Sequence, residues 1–403
     1  MKHPRRWILI LFLLAVAIRV GAGLEWDRWP ATTEEAEWET AALVYQTSGF
    51  AYPDNVAARP PLYSMWMAGI YSAFGGRSIA VRVGQAILGG LTCLVALWIG
   101  CRVVDDRVGR WAAVLCALHP LLVGSGCMLT ADVLFVFLFA AAFALSLLFA
   151  EHPTDLRGFA LGACLGLVAL CSQVVFAWVP LMLGGFAIRG GRSTIGPVSR
   201  VVCAMLLVIL PWTIRNHLVT DRFVPVAPRL GFEMLIGHEP RATGGFDVTR
   251  DYLGMFGKLS IDEENVVDRD RVVAARVTEW IVEDPLRSME LFVQKLGHLW
   301  NPFVPGGRPL QHLGSLVLIA PLLGLGLWSA VDRRREPLGW LALTAAVAFS
   351  LVHGLLYSEG RFRLPVDFAL LVPAADRGLY CAARIGEAVR TRWLELADGG
   401  TGS

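Results

Sequence analysis

Apolar residues are gathered along this chain in long runs, set apart by short polar breaks. The first run, Trp7–Gly23, is near the lower limit of the roughly 17–25 residues that carry a helix across a bilayer. Others follow at 79–104, 111–128, 132–150, 158–172, 174–188, 200–213, 312–331, 337–353 and 365–381. Residues 158–188 read either as one long tilted helix or as two short ones, and the polar pair Ser172-Gln173 favours two. The pattern predicts an all-α polytopic membrane protein with about ten transmembrane helices. A cleavable signal peptide competes for the first run, but Arg19 and Val20 interrupt a cleavage region and the run is kept as a helix.

Between the runs at 200–213 and 312–331 lies one large loop, 214–311. Its first part, 214–260, is rich in Gly, Pro and aromatic residues and reads as irregular or short-strand structure. A helix is expected from Asp262 to Glu283, with Val266, Val273, Val277 and Ile281 on one stripe. A second, amphipathic helix is expected from Pro285 to Trp300, with Met289, Phe292, Val293, Leu296 and Leu299 on its apolar side. The chain divides accordingly into an N-terminal transmembrane module, 1–213, that includes a first loop at 25–77, then the loop 214–311, then C-terminal helices and a tail, 312–403.

Composition agrees with this class. Hydrophobic residues make up 55%, charged residues 17%, and mean hydropathy is +0.54, whereas soluble domains carry about a quarter charged residues. A net charge of +2 indicates no strongly acidic or basic partner, and the lack of a basic stripe excludes nucleic-acid binding. All eight cysteines lie in or beside apolar runs, which argues against a disulfide scaffold. No histidine pair has metal-ligand spacing, so no metal ligand is assigned and a divalent metal is left open.

Arginine placement orients the spans. With the N-terminus inside, the inner loops hold Arg102, Arg107 and Arg110, then Arg157, then Arg189 and Arg192, then Arg333, Arg334 and Arg335, and the tail adds more. The opposite, non-cytoplasmic face then collects every unusual polar motif. These are the acidic cluster Glu34, Glu35, Glu37 and Glu39, Arg59 before two prolines, the turn Thr130-Ala131-Asp132, PWTIRN at 211–216 and EGRFRLP at 359–365. Motifs far apart in sequence that share one face predict a site assembled between helix ends.

Those motifs resemble the GT-C superfamily of membrane glycosyltransferases, in the branch of protein O-mannosyltransferases and aminoarabinose transferases. EEAEW at 34–38 is similar to the Asp-Glu-x-x-Tyr motif of that branch, RPPLY at 59–63 to its basic-Pro-Pro-Leu element, and LTADVLF at 129–135 to its Leu-Thr-acid turn. PWTIRNHLVTDRFVPVAP at 211–228, IGHEPRATGGF at 236–246 and GRFRLP at 360–365 are similar to a bacterial subgroup. The resemblance implies transfer of a sugar from a polyprenyl-phosphate carrier to a lipid, glycan or protein acceptor, with inversion, at the external face of a bacterial plasma membrane. It implies Glu34, Glu35 and Asp132 as catalytic acids and Arg59, Arg361 and Arg363 as ligands of the carrier phosphate. The chain departs from the pattern in having Glu34 for the usual Asp, Ala58 for an acid, and Ser172-Gln173 where a basic residue is common. A transporter or lipid flippase is the alternative from another class, and an inactive carrier-binding relative is a third.

Overall fold

The computed structural model describes residues 4–49, 59–247, 250, 252, 254–255, 265–303 and 309–399. Within them the chain is helical, with no strand. Six stretches are long and apolar enough to cross a membrane: Trp7–Trp26, Ser78–Val103, Asp132–Glu151, Val175–Thr220, His312–Asp332 and Pro337–Leu355.

In chain order the N-terminal half runs α1 (Pro4–Trp26), α2 (Thr33–Ser48), α3 (Pro61–Phe74), α4 (Ser78–Val103), α5 (Asp106–Leu118), α6 (Pro120–Ser125), α7 (Asp132–Glu151), α8 (Asp155–Cys171), α9 (Val175–Gly190) and α10 (Ile195–Thr220). The C-terminal half runs α11 (Leu230–His238), α12 (Val266–Glu283), α13 (Pro285–Trp300), α14 (Pro309–Asp332), α15 (Pro337–Leu355) and α16 (Leu364–Gly399). Residues 158–188 form two helices, parted at Ser172, which has extended dihedrals.

The run at 111–128 is divided where one span was expected. Pro120 has no N–H and disfavours helical dihedrals at the residue before it. His119 is accordingly extended (φ −62°, ψ 117°), and its Nδ1 accepts from the Leu122 amide at 3.3 Å to start α6. The carbonyls left at the end of α5 are met by Arg19, buried in α1, whose guanidinium donates to Cys116 O at 3.0 Å and Ala117 O at 3.3 Å. Arg19, a charge within the first apolar helix, thus meets the open carbonyls of a broken helix.

Loop 214–311 also differs from expectation. Residues 214–220 continue α10, and α11 stands where irregular or short-strand structure was expected. Helix α12 begins at Val266 with Asn265 as its cap; Asp262 lies outside the described residues. Val266, Val273 and Val277 are buried as their spacing predicts. In α13 the predicted apolar side is only partly inward. Leu291, Lys295 and Leu299 are buried, while Met289 and Val293 are exposed. With lipid as the alternative solvent, an apolar stripe need not turn toward protein.

Helix α7 is the centre of the bundle, touching α4, α8, α15 and α16. Its Phe139 lies 4.8 Å from the ring of Trp178 on α9 and 5.7 Å from Phe349 on α15, and its Phe143 lies 6.4 Å from Phe368 on α16. Helix α8 packs on α10 through Gly158, Gly162 and Gly166, one small residue per turn, which lets backbones approach as membrane helices commonly do. A Cβ at Gly162 would stand 2.2 Å from Val201 O. Replacing Gly162 by Leu is expected to lower thermal stability in detergent by the equivalent of about 1–3 kcal/mol or more, as overpacking does. Gly196→Ala, where no atom lies within 4 Å of the new Cβ, should leave the melting curve in place.

Candidate active site

The acidic cluster opens α2, and the start of that helix decides what each acid does. Thr32 is the cap, with its Oγ1 accepting from the Glu35 amide at 3.2 Å, while Glu35 Oε2 accepts from the Thr32 amide at 2.9 Å. This reciprocal pair is the capping box that Ser/Thr-x-x-Glu encodes. The other Glu35 oxygen accepts from the Leu129 amide at 3.0 Å and from Arg82 at 3.3 Å. Fully buried and fully bonded, Glu35 joins α2 to α4 and to the turn before α7. Glu35, expected as a catalytic acid, has its oxygens committed to backbone and Arg82 and does not line the cavity described below.

One residue earlier, Glu34 points elsewhere. Successive helical side chains diverge by about 100°, since a turn holds 3.6 residues. Glu37 pairs with Arg59, whose guanidinium lies 4.4 Å above the Trp38 ring, and Glu39 accepts from the Tyr71 hydroxyl at 2.7 Å. Of the cluster, Glu34 is the one that enters a cavity of about 280 Å³.

That cavity lies where the start of α2, the residues before α3, the turns 126–131, 172–174 and 356–363, and the loop after α10 converge. Glu34, Arg59, Asp132, Arg229, Glu233, Tyr357 and Arg361 line it, with Ser172 and Gln173. All these connections therefore share one end of the bundle. Asp132 arrives at the first residue of α7. Arg361 stands in a 3-10 turn, Gly360–Arg363, ahead of α16. Its guanidinium donates to Glu34 Oε2 at 2.6 Å, to Glu359 Oε2 at 2.7 Å and to Asp132 Oδ2 at 3.4 Å, and Thr130 adds a 3.1 Å hydrogen bond to the same Asp132 oxygen.

Arg363 does not join it. Its side chain is wholly buried, donating to Asp367 at 2.7 Å and to Leu299 O and Asn301 O at the end of α13. Arg363, expected as a phosphate ligand, is placed where it anchors the turn that presents Arg361.

Arg229, Glu233, Tyr357 and Glu359 were missed in the sequence. Arg229 directly follows PVAP, and the structure explains its placement. In PWTIRN, Trp212 Nε1 donates to Val226 O at 2.7 Å, Thr213 Oγ1 to Pro225 O at 2.9 Å, and Asn216 Nδ2 to Val226 O at 2.9 Å. Gln173 donates to Ala227 O at 3.0 Å from the α8–α9 turn. These bonds hold residues 225–227 against the bundle and deliver Arg229, whose Nε donates to Glu233 at 3.3 Å.

Electrostatics separate the charged groups. Burial acts to raise the Glu34 pKa, but Arg361, Arg59 and Arg229 outweigh it and leave the carboxyl below its ordinary value. Glu34 is therefore ionised at neutral pH. Burial, followed by the facing charge of Arg229, depresses Arg59 despite the help of Glu37. An anion in the cavity would relieve Arg59 of that charge, whereas Arg229 is held above its ordinary value against its burial, chiefly by Glu233. Among the described residues no group of three or more His, Cys, Asp or Glu is arranged to hold a metal ion. The centre of the Glu34, Asp132 and Glu359 trio is taken by Arg361, so the donor set does not fit a metal as it stands.

With this geometry in view, comparison with known proteins is informative. Residues 58–214 match the family described as dolichyl-phosphate-mannose-protein mannosyltransferase. The structure superposes on ArnT from Cupriavidus metallidurans bound to undecaprenyl phosphate with a TM-score of 0.61 at 16% identity, covering 93% of this chain and 60% of that one. This is the GT-C fold. The oligosaccharyltransferase AglB from Archaeoglobus fulgidus, in complex with an inhibitory peptide and a dolichol-phosphate, gives 0.56 at 14% identity, covering 97% and 52%. The same enzyme complexed with Zn and sulfate gives 0.59 at 16% identity, covering 97% and 51%. The chain thus spans three-fifths or less of the length of these relatives, and no curated protein matches its sequence.

Replacing Glu35 by Ala removes a cap and leaves Arg82 with Asp27 alone. Breaking a buried ion pair costs about 3–5 kcal/mol, so E35A should show a large fall in melting temperature. Glu34→Gln, by contrast, should melt close to the parent protein.

Proposed function

We propose that this chain is a glycosyltransferase that moves a sugar from a polyprenyl-phosphate carrier to a lipid, glycan or protein acceptor. The observation that supports this most is the pairing of an ionised Glu34 with two guanidiniums, Arg59 and Arg229, in a cavity at the ends of membrane helices. The isoprenoid tail would stay in lipid while its phosphate enters that cavity.

The chemistry follows from the two kinds of group. An acceptor hydroxyl or amine attacks the anomeric carbon and forms the new glycosidic bond. The bond from that carbon to the phosphate oxygen breaks, and its electron pair leaves with the phosphate. Arg59 and Arg229 neutralise the charge that grows there, through the planar paired donors that suit a phosphate. The proton of the attacking group passes to Glu34. A single displacement with one base inverts the anomeric centre. Asp132, tied to the same guanidinium as Glu34, is placed to orient the acceptor. Arg361 holds both acids and keeps Glu34 charged.

Transfer is measured as release of polyprenyl phosphate from a sugar-loaded carrier by purified protein. Glu34→Gln should slow it about 10²–10⁴-fold with carrier binding nearly intact. Arg59→Gln and Arg229→Gln should each weaken carrier binding about tenfold or more, the worth of a charge-assisted contact of roughly 1.5–3 kcal/mol. Asp132→Gln serves as the check on Glu34. Full turnover in both acid variants would remove the proposed base.

The cavity is further proposed to face the non-cytoplasmic side of a bacterial plasma membrane. A cysteine at the exposed Thr243 should react with an impermeant thiol reagent in intact cells. Reaction only after the membrane is opened would reverse the orientation. Asn55, another position on that face, lies outside the described residues.

A further inference from the structure

The sequence GHEPRATGG at 237–245 lies apart from the cavity, and the chemistry above makes no use of it. It begins at the last turn of α11, whose other end supplies Arg229, Leu230 and Glu233 to the cavity. Beneath it is Lys295 of α13, wholly buried in the body of the protein. Among the described residues no carboxylate pairs with this lysine. Its Nζ instead lies 3.0 Å from Nε2 of His238. His238 Nδ1 is 3.1 Å from Met234 O, so a proton on Nδ1 donates to the carbonyl and leaves Nε2 to accept from the lysine.

The lysine's surroundings are as close as backbone allows. A Cβ at Gly237 would lie 1.8 Å from Leu356 O and 3.0 Å from Lys295 Nζ. A Cβ at Gly244, whose φ is +86°, would lie 2.9 Å from Lys295 Cγ. Gly244 O accepts from the Ser358 amide at 3.0 Å, and Thr243 O is 3.0 Å from His298 Nε2, one turn further along α13. Arg287 donates to Glu239 O at 3.2 Å. One helix thus grips the strap at 238, 239 and 243, and the strap in turn grips residues 356–358. Those residues lead directly into Glu359 and Arg361.

We propose that Lys295 is a positioning residue: through His238 and the strap it fixes the turn bearing Arg361 relative to α11, which bears Arg229. This rests on the glycosyltransferase reading for its consequence in catalysis, though not for the clasp itself. A charge without a counter-ion in a buried place costs stability unless something else is gained. Burial pushes Lys295 down to about 7, and burial with the nearby lysine pushes His238 down to about 4, so the imidazole stays neutral and available as acceptor. A Leu at this position would fill the space but offer no donor to His238, leaving only Arg287 and His298 to hold the strap to α13.

Two measurements test the clasp. In the first, amide hydrogen exchange is followed in full-length protein for the peptide containing Ser358. Lys295→Met keeps the length of the side chain and removes its donor, so the Ser358 amide should exchange about tenfold faster or more while the α8–α10 contact is unchanged. In the second, carrier release is compared in two backgrounds. Lys295→Met should cost about tenfold or more when Arg361 is present and little in Arg361→Gln protein, because the lysine acts through that arginine. His238→Leu should reproduce both effects, and the double variant should be no worse than either single one. It also serves if Lys295→Met folds poorly. Unchanged exchange at Ser358 overturns the clasp, and an equal loss in both backgrounds reduces Lys295 to a packing residue. A parent protein that releases no carrier sinks the glycosyltransferase reading, and the exchange measurement still decides the clasp.

Discussion

The guanidinium of Arg361 is the tie on which the cavity depends. It bonds Glu34, 327 positions away in sequence, together with Asp132 and Glu359. Three carboxylates this close and this buried would repel one another, and without a cation among them some would take up a proton. Lysine could supply the charge but not the fork of donors in fixed directions that reaches three acids at once. Such networks contribute little net stability, because desolvation offsets most of the attraction. What this one supplies is placement. It brings the start of α2, the start of α7 and the turn before α16 to one point, where the membrane spans end.

Lipid is the reason so much of the fold was legible in the sequence. A chain that must satisfy its backbone internally within the bilayer has to use helices there, and runs of apolar residues report them directly. The same constraint drives polar chemistry to the helix ends, so the convergence of Glu34, Arg59, Asp132 and Arg361 could be anticipated from topology alone. The local assignments were harder. Glu35 looked as reactive as Glu34, although Thr32-x-x-Glu35 carried the signal that separates them. Arg361 and Arg363 looked equivalent, yet a 3-10 turn advances about 120° per residue. Two residues apart, they face different sides, one toward the cavity and one toward Asp367. Lys295 was hidden among the apolar positions of α13, whose exposed stripe suits lipid better than protein. Arg229 follows an irregular segment whose path is set by side chains more than ten residues earlier.

That segment shows how a motif can matter without touching chemistry. Trp212, Thr213 and Asn216 are spent on the carbonyls of residues 225–227, and the small residues of α8 bring α10 close enough to the bundle for this to place Arg229 at the cavity. On the far side, Arg363 fastens the Arg361 turn to the end of α13. The cationic walls are therefore held by side-chain donors on backbone carbonyls at the ends of rigid helices, although the residues themselves sit in turns.

The capping box at Thr32 has a consequence for how such a site can change over time. It fixes the rotation of α2 about its own axis, and with it the direction of every acid that follows. Adding or removing one residue after Thr32 would turn the helix start by about 100°, aiming a different acid at the cavity in a single step. No intermediate rotation is available, because the cap closes at one spacing. An exchange in place, such as Asp for Glu, alters reach and leaves direction alone. Substitution can thus adjust how far the acid extends into the cavity, but it cannot slide one acid into the place of its neighbour.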